Sequence, residues 1–118
     1  MIPSVNSESR KGIISKLFLV GSYSQKGLKA IVGSGFDRHI KTRKAVEAMG
    51  LKFISYDIVR GKYDFVVTVE GEWEQAVGLV AAANASGDLD EAFALECFST
   101  DVFNESLGKA GAWTPPSG

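Results

Sequence analysis

Apolar and polar positions alternate most clearly between residues 63 and 70. There Tyr63, Phe65, Val67 and Val69 fall on one face, while Val66 and Thr68 keep the other mostly apolar. A period of two predicts a β-strand, because successive side chains of an extended chain point to opposite sides. The same period predicts a strand over 16–23, with Leu17, Leu19, Gly21 and Tyr23 opposed to Phe18, Val20 and Ser22. A further strand is expected over 51–59. Ile54, Tyr56 and Ile58 point one way, and Phe53, Ser55, Asp57 and Val59 the other. A fourth is expected over 91–99.

Helical spacing fills the intervals. Ser24 can cap a helix over 25–32, because its hydroxyl can accept an amide of the first turn. Gly33-Ser34-Gly35 interrupts that helix, and Asp37 opens a second segment running to Met49. In this segment Thr42, Ala45, Val46 and Met49 form one face, and Gly50 stands where a helix C-terminal glycine belongs. Residues 72–86 form the next helix, with Trp73, Val77, Val80 and Asn84 near one another and Ala76 and Ala83 beside them. Arg60-Gly61-Lys62 is a tight turn between the second and third strands. A short helix is expected over 101–109, before a tail that contains Trp113 and two prolines.

The order β-α-β-β-α-β is the split βαβ arrangement, an α+β fold of ferredoxin-like type: a four-stranded antiparallel sheet with two helices on one face. Two helices cover one face only, yet the first and third strands are apolar on both. The uncovered side exposes a larger apolar patch than a soluble monomer normally shows. The simplest cover is the same face of a second chain, giving a homodimer or a larger oligomer.

Three stretches resemble the GYD-domain family. They are Gly21-Ser22-Tyr23-Ser24-Gln25-Lys26-Gly27-Leu28-Lys29, Arg43-Lys44-Ala45-Val46-Glu47-Ala48-Met49-Gly50, and Gly61-Lys62-Tyr63-Asp64 followed by Phe65-Val66-Val67-Thr68-Val69-Glu70. Gly61, Tyr63 and Asp64 match the Gly-Tyr-Asp signature that names the family, and the similarity spans roughly residues 16–100. The resemblance implies a dimeric α+β barrel and carries no biochemical role with it. Where family members tend to have a Ser-Pro-x-Arg-like break in the first helix, this chain has Ser34-Gly35-Phe36-Asp37-Arg38. Residues 1–15, an arm rich in Ser and charge, and residues 101–118 lie outside the match.

Composition narrows the function classes. A chain of 118 residues, 45% hydrophobic and 23% charged, suits one soluble domain. The first twelve residues lack the apolar run of a secretory signal, no stretch is long enough to span a bilayer, and a cytoplasmic location is the default. Cys97 is the only cysteine, so no intrachain disulfide is possible; it is expected to act as a small buried hydrophobe in the last strand. Net charge is −1, which argues against general nucleic-acid affinity. The charge is unevenly placed, however. Residues 1–62 hold twelve of the thirteen Lys and Arg, and residues 63–118 hold ten of the fourteen Asp and Glu. The expectation is that basic and acidic elements neighbour each other in the fold.

Candidate chemistry is sparse. His39, the only histidine, excludes a metal site of clustered imidazoles within one chain but can serve as an acid or base near neutral pH. Asp57, in mid-strand, needs a partner or a raised pKa, and with Tyr56 completes the candidate catalytic set. Candidate ligand-binding residues are Tyr23, Arg38, Arg43, Tyr63 and Asp64. The guanidinium forks suit a carboxylate or phosphate, and polar-tipped tyrosines around a cleft suit an aromatic ligand. Arg38 and Arg43 are about 140° apart around a helix, so they do not share a face. No phosphate-cradling glycine loop, nucleophile elbow or zinc spacing is present, and no cofactor is expected. The leading expectation is an oligomeric module for assembly or for binding a small anionic or aromatic ligand. One alternative is a small cofactor-independent enzyme of isomerase, oxygenase or decyclase type, with its cleft between sheet and helices. Another is an adaptor that docks a larger assembly through its terminal arms.

Overall fold

A computed structural model describes residues 12–34 and 38–116. The elements run β1 (Ser15–Tyr23), α1 (Gln25–Ser34), α2 (Arg38–Ala48), β2 (Lys52–Ile58), β3 (Phe65–Gly71), α3 (Trp73–Ala85), β4 (Leu89–Glu96) and α4 (Thr100–Ala110). The strands form one antiparallel sheet in the order β2-β3-β1-β4. This is the ferredoxin-like α+β arrangement that the alternation of strands and helices implies. The first twelve-residue stretch of the expected arm falls outside the described residues except for Gly12, as do Gly35, Phe36 and Asp37.

β1 and β3 are the central strands, which explains why their sequences are apolar on both sides. Leu17, Leu19 and Gly21 stand opposite Val69, Val67 and Phe65 on the side that the helices cover. Leu17, Leu19, Phe65, Val67 and Val69, with Val46 of α2, Ala76 of α3 and Leu51, form the buried core. α3 starts from a capping box: Glu72 accepts a backbone N–H of the first turn, and the Gln75 side chain accepts the Glu72 N–H at 2.9 Å. Its sheet-facing side holds Trp73, Ala76, Leu79 and Val80, whereas Val77, grouped with Trp73 and Val80 by helical spacing, is exposed.

Three expectations are corrected. In β2 the pairing register shifts between Phe53 and Ser55, so Ile54 is an extra residue and is exposed. The bulge resets the side-chain alternation. Phe53 therefore joins Tyr56 on the helix side, opposite Val69 and Val67, while Ser55 and Asp57 face away. Second, the third strand begins at Phe65 rather than Tyr63. The Tyr63 ring meets Phe93 edge-on at 5.1 Å, and Phe93 stands opposite Val20, so Tyr63 lies on the side away from Phe65. Third, β4 begins at Leu89 and ends at Glu96, leaving half-buried Cys97 just beyond it. The chain leaves α3 at Ser86, turns at Gly87, and pairs Leu89 with Tyr23 at once. Gly61, at φ 135°, supplies the turn conformation that other residues avoid.

The side of the sheet away from the core carries Phe18, Val20, Val66, Thr68, Phe93 and Leu95. Lys16, Lys52, Asp57 and Glu91 surround them as exposed charges. Leu95 is 49% exposed. Every residue of α4 is exposed, including Val102, Phe103 and Leu107, so this helix leaves the end of β4 without entering the core. Among the described residues no helix is long and apolar enough to cross a membrane.

Candidate functional site

Between α2, α3 and the covered side of the sheet lies a cavity of about 310 Å³. Its walls are apolar: Leu19, Phe65 and Val67 from the sheet, Leu79, Val80 and Ala83 from α3, and Ala45 from α2. Polar groups are confined to two places. Tyr23 of β1 and Tyr56 of β2 bring their hydroxyls together in a hydrogen bond. Phe65 packs against both rings, at 5.2 Å from Tyr23 and 5.9 Å from Tyr56. At the opening stand Arg38, Lys41, Thr42, Ser86 and Asp88. A mostly apolar concavity with a few convergent polar groups is the usual form of a small-molecule site.

Beside these groups α1 is tied to the corner that follows α3. Ser24 donates its backbone N–H to the Asp88 carbonyl at 2.9 Å and its hydroxyl to the Gly87 carbonyl at 2.6 Å. The same hydroxyl accepts the Gly27 N–H at 3.0 Å, the helix cap the sequence predicts. Lys26 donates to the Ser86 carbonyl at 3.1 Å. The Asp88 carboxylate lies 3.6 Å from Arg38 and 3.9 Å from Lys26. Here the basic first half of the chain meets the acidic second half, as does Lys52 with Glu70 at 3.6 Å across β2 and β3.

Of the candidate residues, Tyr23, Tyr56 and Arg38 line this cavity together. Asp64 acts on it from outside. Its carboxylate accepts the Tyr23 backbone N–H at 2.9 Å, and its own N–H donates to the Gly21 carbonyl at 2.9 Å. Asp64 thus fixes the stretch of β1 that presents Tyr23. His39 and Arg43 lie on another side of α2, around Phe53. The imidazole meets that ring edge-on at 5.3 Å, and the guanidinium sits 5.7 Å from it while pairing with Glu47 at 3.5 Å. Asp57 is on the opposite side of the sheet, where its carboxylate accepts the Ser55 hydroxyl at 3.2 Å. Tyr63 is on that side as well. Lys41 and Asp88 are the lining groups that sequence reasoning missed. An acidic residue at the Gly87 corner, in a chain whose first half is basic, is the signal that could have found Asp88.

Burial pushes the Tyr23 phenol above its ordinary value of 10.0; Arg38 beside it pulls downward, and Asp64 adds to the rise. The phenol is therefore a hydroxyl donor at neutral pH. In the unfolded chain this group ionises first as pH climbs, so its contribution to stability is intact below about pH 10 and is lost above it. Urea unfolding of the native chain and Tyr23→Phe should give stability curves that run parallel below pH 9 and converge or cross above pH 10, because the native chain loses more. Curves parallel to pH 11 would show that Tyr23 titrates as in the unfolded chain.

Comparison with known proteins gives one family. The model described as GYD domain matches residues 18–107. No curated protein and no solved structure matches.

Proposed function

We propose that this chain, which belongs to the GYD-domain family, is a homodimeric module that binds a small ligand between its helices and its sheet. The observation that supports this reading is the cavity of about 310 Å³, apolar along its walls, with a hydroxyl pair inside and a guanidinium at its opening. That combination offers an apolar body burial and a polar end direction. The homodimer rests on the other side of the sheet. Half-buried Phe18, Val66 and Phe93 and exposed Leu95 surround buried Val20 as an apolar centre with charged residues around it, the anatomy of an interface, and a two-fold axis would let one such face cover its copy.

The enzyme alternative draws less support from the geometry. Of its three candidate groups, Tyr56 lines the cavity, His39 lies outside the lining with its ring 6.4 Å from that of Tyr56, and Asp57 is on the other side of the sheet. The adaptor alternative retains α4, with Val102, Phe103 and Leu107 exposed along it.

Ala83 lines the cavity from α3, so Ala83→Trp places an indole where a ligand would lie. The native chain should be stabilised against heat by 2-naphthamide or 2-naphthoate, two bicyclic probes of suitable size. In Ala83→Trp the shift should vanish while the circular dichroism stays native. Equal shifts in both proteins would place probe binding outside the cavity and refute the assignment.

A further inference from the structure

At the polar end of the cavity Lys26 and Arg38 share one carboxylate, that of Asp88. The two ion pairs of Asp88 are loose. At 3.6 Å and 3.9 Å both exceed hydrogen-bond length, so the Arg38 fork is not engaged in the two-pronged geometry it makes best. The Arg38 side chain is only 21% exposed, and its guanidinium lies 6.0 Å from the Tyr23 ring. It therefore belongs to the cavity as much as to solvent. Inside, the walls are apolar, and Tyr23 is held in its neutral form, which offers an anion no repulsion.

We propose that the cavity takes an aromatic carboxylate of one or two rings, and that its carboxylate replaces Asp88 on Arg38. This rests on the binding reading above and names its ligand class. The rings lie against Phe65, Leu79 and Val80. The carboxylate reaches the guanidinium from the cavity side, while Asp88 keeps Lys26 and its backbone bond to Ser24. One carboxylate is exchanged for another, so charge at Arg38 stays balanced. The one guanidinium that lines the cavity neutralises a monoanion, whereas a phosphate dianion would leave a second charge against apolar walls. Asp88 is thus a resident competitor that sets how strong an incoming acid must be.

Calorimetric titration of the full chain with 2-naphthoate and with its neutral isostere 2-naphthamide tests this. The native chain should bind the carboxylate about tenfold more tightly than the amide, the surplus of a close charge-assisted pair over the loose one with Asp88 that it displaces. Arg38→Leu should bring the carboxylate down to the amide's affinity and leave the amide within about twofold. Asp88→Asn should tighten the carboxylate severalfold by removing the competitor. Equal affinities of the two probes for the native chain would overturn the carboxylate assignment while leaving the cavity as a binding site. An unchanged preference in Arg38→Leu would overturn the role of Arg38. If neither probe bound, the binding reading itself would fall, and this inference with it.

Discussion

Replacing Gly27 with alanine should cost about 2 kcal/mol of stability, a typical penalty for forcing an extra methyl into packed structure. Gly27 is buried in the first turn of α1, and a Cβ there would run into the Asp88 carbonyl oxygen. Backbone cannot step aside as the tip of a flexible side chain can. The methyl must push α1 off the corner at residues 86–88, straining the Ser24 N–H bond to the Asp88 carbonyl. Gly33, near the other end of the same helix, has nothing within 4 Å of a built Cβ. Gly33→Ala should therefore stabilise the chain by up to about 1 kcal/mol through helix propensity alone. Urea denaturation of the pair gives opposite signs if α1 docks as described. A Gly27→Ala protein as stable as the native one would show that this close approach is absent.

Leu95→Asp should abolish self-association and leave the single chain folded. Leu95 is 49% exposed in one chain, so a carboxylate there remains hydrated and changes folding stability little. On pairing of two open faces the same carboxylate would be buried, once in each copy by symmetry. An uncompensated buried charge costs about 3–5 kcal/mol, so two of them weaken association by at least about a thousandfold. Size-exclusion chromatography with light scattering reads the mass, and circular dichroism confirms the fold. An unchanged oligomer in Leu95→Asp would remove this face from the interface.

Much of the fold is legible in the sequence because the central strands are long, apolar and regular. Leu17, Leu19, Val67 and Val69 alternate without interruption, and their burial follows. The Arg60-Gly61-Lys62 turn and the Ser24 cap were equally plain, since each depends on chemistry within a few residues. The errors come from events that local spacing does not encode. The bulge at Ile54 moved Phe53 onto the core side, and the start of β4 at Leu89 follows from its pairing with Tyr23. The site divides along the same line. Tyr23, Tyr56 and Arg38 stood out as polar tips on apolar or basic elements, but their convergence depends on how β2 registers against β3 and where α2 crosses. His39 and Asp57 were equally conspicuous, but His39 packs against the rings of Phe53 and Tyr56 outside the cavity's lining and Asp57 faces the other side of the sheet. Asp88 was inconspicuous because its role arises where α1 touches the turn after α3, through a glycine whose importance is a matter of distance.

Sedimentation velocity of the full chain at micromolar concentration tests most directly the claim that the open side of the sheet pairs with a second copy. The expected result is a particle of twice the 12.6 kDa chain mass, persisting as the protein is diluted through the low micromolar range. A folded species of 12.6 kDa throughout would contradict it.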